Sequence, residues 1–160
     1  DAMTSLFDQG NPGEAEDPID TFPPPYRELQ VECGANLYGA MGVERKDFPG
    51  RMKAMRRNFE FFDAPHVAIL CMDQHFGLGV ALDVGTWLQN FMVLLASRGI
   101  GSCAQAAMRQ YPKEIREVLG IPPNMRVLAG IAFGYEDPTV DANSVRQPRN
   151  PIATNVTFVG

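Results

Sequence analysis

Two histidines and three cysteines are the residues of this 160-residue chain best suited to move protons, attack carbon or hold a metal. Their settings support none of these roles. His66 enters an apolar run and His75 lies in a turn, and neither stands beside a serine or cysteine in a nucleophile setting. No His-Glu spacing suits a metal, so both histidines read as structural. Cys33, Cys71 and Cys103 are too scattered for a disulfide framework and match no zinc spacing. Cys71, inside an apolar run, reads as a small buried side chain, and the three together point to a reducing, cytoplasmic setting. The stretch Gly77-Leu78-Gly79-Val80-Ala81-Leu82-Asp83-Val84-Gly85 has the look of a dinucleotide loop. It lacks the GxGxxG spacing and does not directly follow a predicted strand, so it reads as the entry to a helix. No acid, base, nucleophile or metal cluster emerges. An enzyme built this way would leave the difficult chemistry to a cofactor and supply binding and orientation.

The elements that must position such a cofactor follow from periodicity. Leu29, Val31, Ala35, Leu37 and Tyr38 recur at helical steps, predicting a helix from Tyr26 to about Met41 with Gly42 closing it. A second helix is expected from about Asp47 to Asn58, followed by an aromatic corner at Phe59, Phe61, Phe62 and Pro65. Val67 to Met72 is a continuous apolar run of strand length, the pattern of a strand covered on both faces. Val80 to Arg98 is the strongest helix, apolar on nearly every side, which suits a central position or an oligomer interface. Pro112 to Leu119 reads as a short helix with Gly120 at its end, and Val127 to Tyr135 as a second buried strand. Val156 to Val159 alternates like a short terminal strand. The class expected is α+β, a sheet flanked by helices, with no internal repeat.

Residues 1–25 carry Gly10, Pro12, Gly13, Pro18 and a proline triplet, and read as an irregular lead segment ahead of a domain spanning 26–160. No targeting signal is visible there. The longest apolar run, around Phe91 to Ala96, is too short for a bilayer. A net charge of -5 excludes a nucleic-acid partner on electrostatic grounds, because nothing would neutralise a phosphate backbone. Arg51, Lys53, Arg56 and Arg57 cluster, but among acidic and apolar neighbours they read as a solvated helix face.

Five segments in order then carry a resemblance. They are Asp83 to Met92, Ala96 to Ala107, Pro112 to Pro122, Gly130 to Pro138, and Asn143 to Pro151. Their succession and spacing closely resemble the FMN-dependent nitroreductase family from about Pro25 to Gly160. The resemblance implies a mixed sheet flanked by helices and a homodimer with the long central helix in the contact. It also implies FMN at the subunit interface and a C-terminal arm that adds a strand to the partner.

Residue by residue, Cys103, Ala104, Gln105 and Ala106 match the loop whose backbone lies against the flavin, with an amide directed at N5. Small residues allow that close approach. The family often has proline at the position of Ala104, so the loop here is less constrained. Arg149 and Arg146 match tail arginines that bind the FMN phosphate, a role guanidinium geometry suits. Gln147 stands where some relatives carry a further cation. The resemblance assigns no catalytic side chain and no metal. Family members open with an Arg-rich phosphate motif and an Asn-containing flavin segment; neither precedes Tyr26, so the numbering is expected to start partway through a longer polypeptide. The function implied is an oxidoreductase passing electrons from NAD(P)H to nitroaromatics, quinones or similar small acceptors, with residues around Tyr38 to Phe62 as the variable acceptor lid. Another flavin reaction on the same fold, such as enone reduction or reductive dehalogenation, stays open, as does a truncated, flavin-free dimerisation module.

Overall fold

The computed structural model describes residues 1–16 and 21–159. The chain divides into two compact units, Asp1–Asp20 with Pro49–Glu136, and Thr21–Phe48 with Asp137–Gly160.

The first unit is built on a three-stranded sheet of β1 (His66–Asp73), β2 (Gly101–Gln105) and β3 (Met125–Gly134), in the order β1-β3-β2. Both neighbours run antiparallel to β3, so β1 and β2 point the same way. Helix α4 (Leu78–Ala96) is the crossover that lets them do so. The α+β class holds, but the mixed sheet implied by the resemblance is antiparallel throughout the described residues. Its two like-directed strands never meet, because β3 is inserted between them. Strand β2 was not foreseen: Gly-Ser-Cys-Ala-Gln has no β-branched or aromatic residue to signal a strand.

Beneath the sheet, Phe59, Met108, Tyr111, Ile115 and Val127 form the buried core. Met108 lies over β3 at Gly130, where an added Cβ would come within 2.5 Å of Met108 Cγ. α5 (Pro112–Leu119) buries Pro112 and Ile115 and ends at Gly120 in a left-handed conformation, as its sequence predicts.

The lead segment is not irregular where it is described. Met3, Leu6 and Phe7 stand at helical steps on α1 (Ala2–Asp8) and pack against the core, with Phe7 and Phe59 ring centroids 5.2 Å apart. Seven residues are too few to hold a helix unaided, so tertiary contact supplies the stability, and local pattern alone could not show it. Residues 17–20 of that segment lie outside the described residues. The basic cluster is likewise more than a solvated face. Arg56 pairs with Asp8 at 2.7 Å and with Glu60, and Arg57 pairs with Asp63 at 2.9 Å.

α4 carries the expected all-round apolarity, and within the chain only Leu95 is buried. Trp87 stacks on Phe91, which meets Phe133 of β3 edge-on at 5.6 Å. Leu78, Leu82, Trp87, Val93 and Leu94 face outward, from 53% to 90% exposed. By length and composition α4 could cross a membrane, with 19 residues and a mean hydropathy of 1.4, more than its longest uninterrupted apolar run suggests. Asp83, Thr86, Gln89 and Asn90 nevertheless punctuate it.

The second unit contains α2 (Tyr26–Ala40), the start of α3 (Phe48–Arg56) and the C-terminal tail with α6 (Ile152–Asn155). Val156 to Val159 form no strand here and are exposed. Their alternation is satisfied only where another strand supplies hydrogen bonds, and none in the described chain does.

Gly13 is the tightest point of the lead segment. Its φ is +75°, and a Cβ there would lie 2.1 Å from the Gln110 carbonyl oxygen. Gly10 shares the left-handed backbone, with φ +72°, but nothing lies within 4 Å. Gly10→Ala is expected to cost about 1–2 kcal/mol, the price of the left-handed backbone alone. Gly13→Ala should cost clearly more and release α1. Urea unfolding midpoints of the two variants measure the difference; equal losses would show that Gly13 makes no such contact.

Candidate functional site

Of the residues the sequence singled out, Cys103, Ala104 and Gln105 lie on β2, and Ala106 opens the 3-10 turn Ala106–Gln110. The expected loop is therefore the end of an edge strand and the turn that leaves it. Cys103 and Ala104 are exposed, and their pairing with Ala132 and Ile131 fixes them to the central strand. β2 has a neighbour on one side only among the described residues, so its outer backbone edge is open. A flat ligand could lie against such an edge with only small side chains to clear. Desolvation by the surrounding protein pushes the Cys103 thiol up from its ordinary value, so this exposed cysteine offers no thiolate at neutral pH.

Gln105 is the anchor of this segment and is only 2% exposed. Its Nε2 donates to the Asn58 carbonyl at 2.7 Å, while its Oε1 is buried without a partner among the described residues. An orphaned acceptor of this kind costs about 1–3 kcal/mol unless something donates to it. Asn58 begins the strained corner in which Phe61, Phe62 and Asp63 all adopt positive φ, from 52° to 60°. Three successive non-glycine residues in that region are costly, and here the buried Phe59 and the Arg57–Asp63 pair hold them. The aromatic corner read from the sequence is thus real, but its handedness was not legible. Arg109, which sequence reading passed over, carries a second buried orphan: its Nε has no partner among the described residues. Only its position, four residues beyond Gln105, could have drawn attention to it.

Both histidines have partners within the chain. His66 stacks on Phe133 with centroids 5.4 Å apart. His75 bonds Asp73 through its backbone N–H at 2.9 Å and through Nδ1 at 2.7 Å. Those bonds, with a further one from Asn124, hold the Asp73 carboxyl below its ordinary value. A cleft of about 290 Å³ lies beside α1 and α3, lined by Phe7, Asp8, Met52, Lys53 and Arg56; it contains none of the expected cofactor-binding residues, although Met52, Lys53 and Arg56 fall in the stretch expected as the acceptor lid.

Arg146 and Arg149 belong to the second unit, in the extended tail after the 3-10 turn Asp141–Ser144. Both are exposed. Arg146 Nη1 donates to the carbonyls of Asn143 at 2.6 Å and Val145 at 3.2 Å. Arg149 Nη1 reaches the carbonyls of Pro148 and Gln147 only at 3.4 and 3.5 Å. Among the described residues neither guanidinium meets a carboxylate, so both retain their charge for an outside anion. Gln147, between them, accepts from Asn36 Nδ2 at 3.2 Å and donates to the Cys33 carbonyl at 3.1 Å, fastening the tail to α2.

Known proteins share this sequence and fold. A 4-nitrobenzoate reductase of Nocardioides sp. (strain LMS-CY) is 34% identical over 88% of this chain and 57% of its own. A 4-nitrobenzoate reductase of Pseudomonas putida is 29% identical over 99% of this chain and 72% of its own. The crystal structure of the FMN-dependent nitroreductase NfnB from Mycobacterium smegmatis, in complex with NADPH, superposes with a TM-score of 0.93 at 29% identity. That match covers 99% of this chain and 72% of the NfnB chain. The chain thus spans between a little over half and about three quarters of the length of these relatives. The sequence profile of the Nitroreductase family matches residues 23–135, more than half of the chain, and with the fold in agreement the chain belongs to the Nitroreductase family.

Proposed function

We propose that the protein is an FMN-dependent oxidoreductase that uses NAD(P)H to reduce nitroaromatics, quinones or related small acceptors, working in the cytoplasm as a homodimer. Within a family whose relatives include nitrobenzoate reductases and an NADPH-complexed FMN enzyme, the observation that carries this reading is the open edge of β2. Cys103 and Ala104 present backbone and small side chains there, as contact with a flat isoalloxazine ring requires.

Bound FMN would supply the hydride chemistry, accepting from NAD(P)H and passing on to the acceptor in ping-pong order. The chain's own part is to bind and orient. Cys103 to Ala106 offer main-chain contact, with an amide for N5, and Gln105 keeps that backbone in place through Asn58. Arg146 and Arg149 offer permanent positive charge for the phosphate, free of any internal carboxylate partner among the described residues. No side chain need act as acid, base or nucleophile, consistent with a protonated Cys103 and structurally engaged histidines. The outward apolar face of α4 supports dimerisation, since a face with Leu82, Trp87, Val93 and Leu94 in water is costly until another surface covers it.

The purified protein, loaded with FMN and desalted, is expected to keep a flavin absorbance that bleaches anaerobically with NADPH or NADH and recovers with a nitroaromatic. Retained flavin that no nicotinamide bleaches would point to another electron source and another flavin reaction. A chain that retains none would fit a flavin-free dimerisation module instead. Arg149→Ala should weaken FMN binding about tenfold, the loss of one charge-assisted contact to phosphate, read by fluorescence titration. The α4 reading has its own check: light scattering should give a dimer for the wild type and a shift toward monomer for Leu94→Glu. An unchanged mass for that variant would place the dimer contact elsewhere.

A further inference from the structure

We propose that Gln147 is a positioning residue that sets Arg146 and Arg149 for a phosphate monoester by fastening the tail to α2. This inference rests on the reading of those arginines as the phosphate site. Its basis is the way one side chain uses both ends of its amide. Oε1 accepts from Asn36 Nδ2 and Nε2 donates to the Cys33 carbonyl, across 111 and 114 residues of sequence. Among the described residues Arg146 and Arg149, by contrast, bond main-chain carbonyls within three residues of themselves.

The latch matters because of what surrounds it. With the Gln147 side chain held against α2, the side chain of its neighbour Arg146 is left to solvent. Arg146 is indeed exposed, while Gln147 is half-buried. Pro148 then fixes φ between Gln147 and Arg149 and restricts the conformation of Gln147 itself. The position of Arg149 is therefore inherited from Gln147 through one stiff residue. A glutamine suits this task better than the cation some relatives carry at this position. It can bond a carbonyl and an amide at once, and it stays neutral between two positive neighbours.

Fluorescence titration with FMN and with riboflavin, which lacks the phosphate, tests the proposal on the intact chain. The wild type should bind FMN more tightly than riboflavin. Gln147→Ala should lose about three- to tenfold in FMN affinity, the worth of one or two hydrogen bonds, and leave riboflavin affinity within about twofold. Asn36→Ala, which removes one bond from outside the tail, should show a smaller loss of the same kind. The double variant should be no worse than Gln147→Ala alone, because the two residues share a contact. Trypsin should cleave after Arg146 and Arg149 faster in Gln147→Ala while cleavage within the first unit stays unchanged, which separates release of the tail from global unfolding; equal acceleration at both would leave Asn36→Ala to decide by titration. A wild type that binds both flavins equally, or neither, overturns the phosphate reading and the latch together. A preference for FMN that survives in both variants overturns the latch alone, as does an equal loss of both flavins.

Discussion

A phenol taken wholly out of water must place its hydroxyl on a partner, and Tyr111 shows how much of the first unit is organised around that requirement. Its ring is fully buried, edge-on to Phe59 at 5.1 Å, and its hydroxyl donates to the Asn11 carbonyl at 2.9 Å while accepting from Gln110 Nε2 at 3.2 Å. Burial pushes the phenol above its ordinary pKa, so it remains a donor throughout the physiological range. The residue also stands at the N-terminus of α5, immediately after the turn that leaves β2. One side chain therefore joins the lead segment, the core and the end of the edge strand. Losing it would leave a large void and at least one unpaired buried group, so these parts are coupled rather than separately stable.

The sheet gains its open edge from the same economy of connection. β3 is the long, buried strand, with Val127, Ile131 and Ala132 almost inaccessible, and it takes a partner on each side. β1 and β2, joined through α4, point the same way, and β3 runs between them antiparallel to both. β2 is then the outer strand by topology. Five residues with small side chains suffice for it, because the pairing partner and Gln105 supply the order that its own propensity does not.

How far the sequence revealed this depended on whether a signal was local. The bounds of α2, α4, α5, β1 and β3 follow from periodicity, proline and glycine to within two or three residues, because their apolar faces repeat. α1 and β2 were hidden for opposite reasons. α1 has the right spacing in Met3, Leu6 and Phe7 but is too short to stand without the core. β2 has the tertiary partner but almost no apolar content to announce it. Val156 to Val159 have strand-like alternation and no strand to pair with among the described residues of the single chain. At the candidate site, the resemblance suggested residue types, whereas the burial of Gln105 and Arg109 and the bonds of Gln147 to α2 arise from residues far along the chain.

Charge gives the tail its particular importance. A net charge of -5 opposes the approach of any phosphate, but at physiological ionic strength such repulsion fades over about 8 Å. Within that distance local placement outweighs the total. Arg56, Arg57 and Arg116 are already committed to Asp8 and Glu60, Asp63 and Glu16. Among the described residues Arg146 and Arg149 have only carbonyls, which orient a guanidinium without cancelling its charge. Cations left uncompensated on an exposed tail would ordinarily wander and lose most of their value to entropy and screening. A neutral side chain that anchors the backbone between them keeps the charge and removes the wandering. For an acidic chain, that is how the proposed anion site would be built without adding further positive residues.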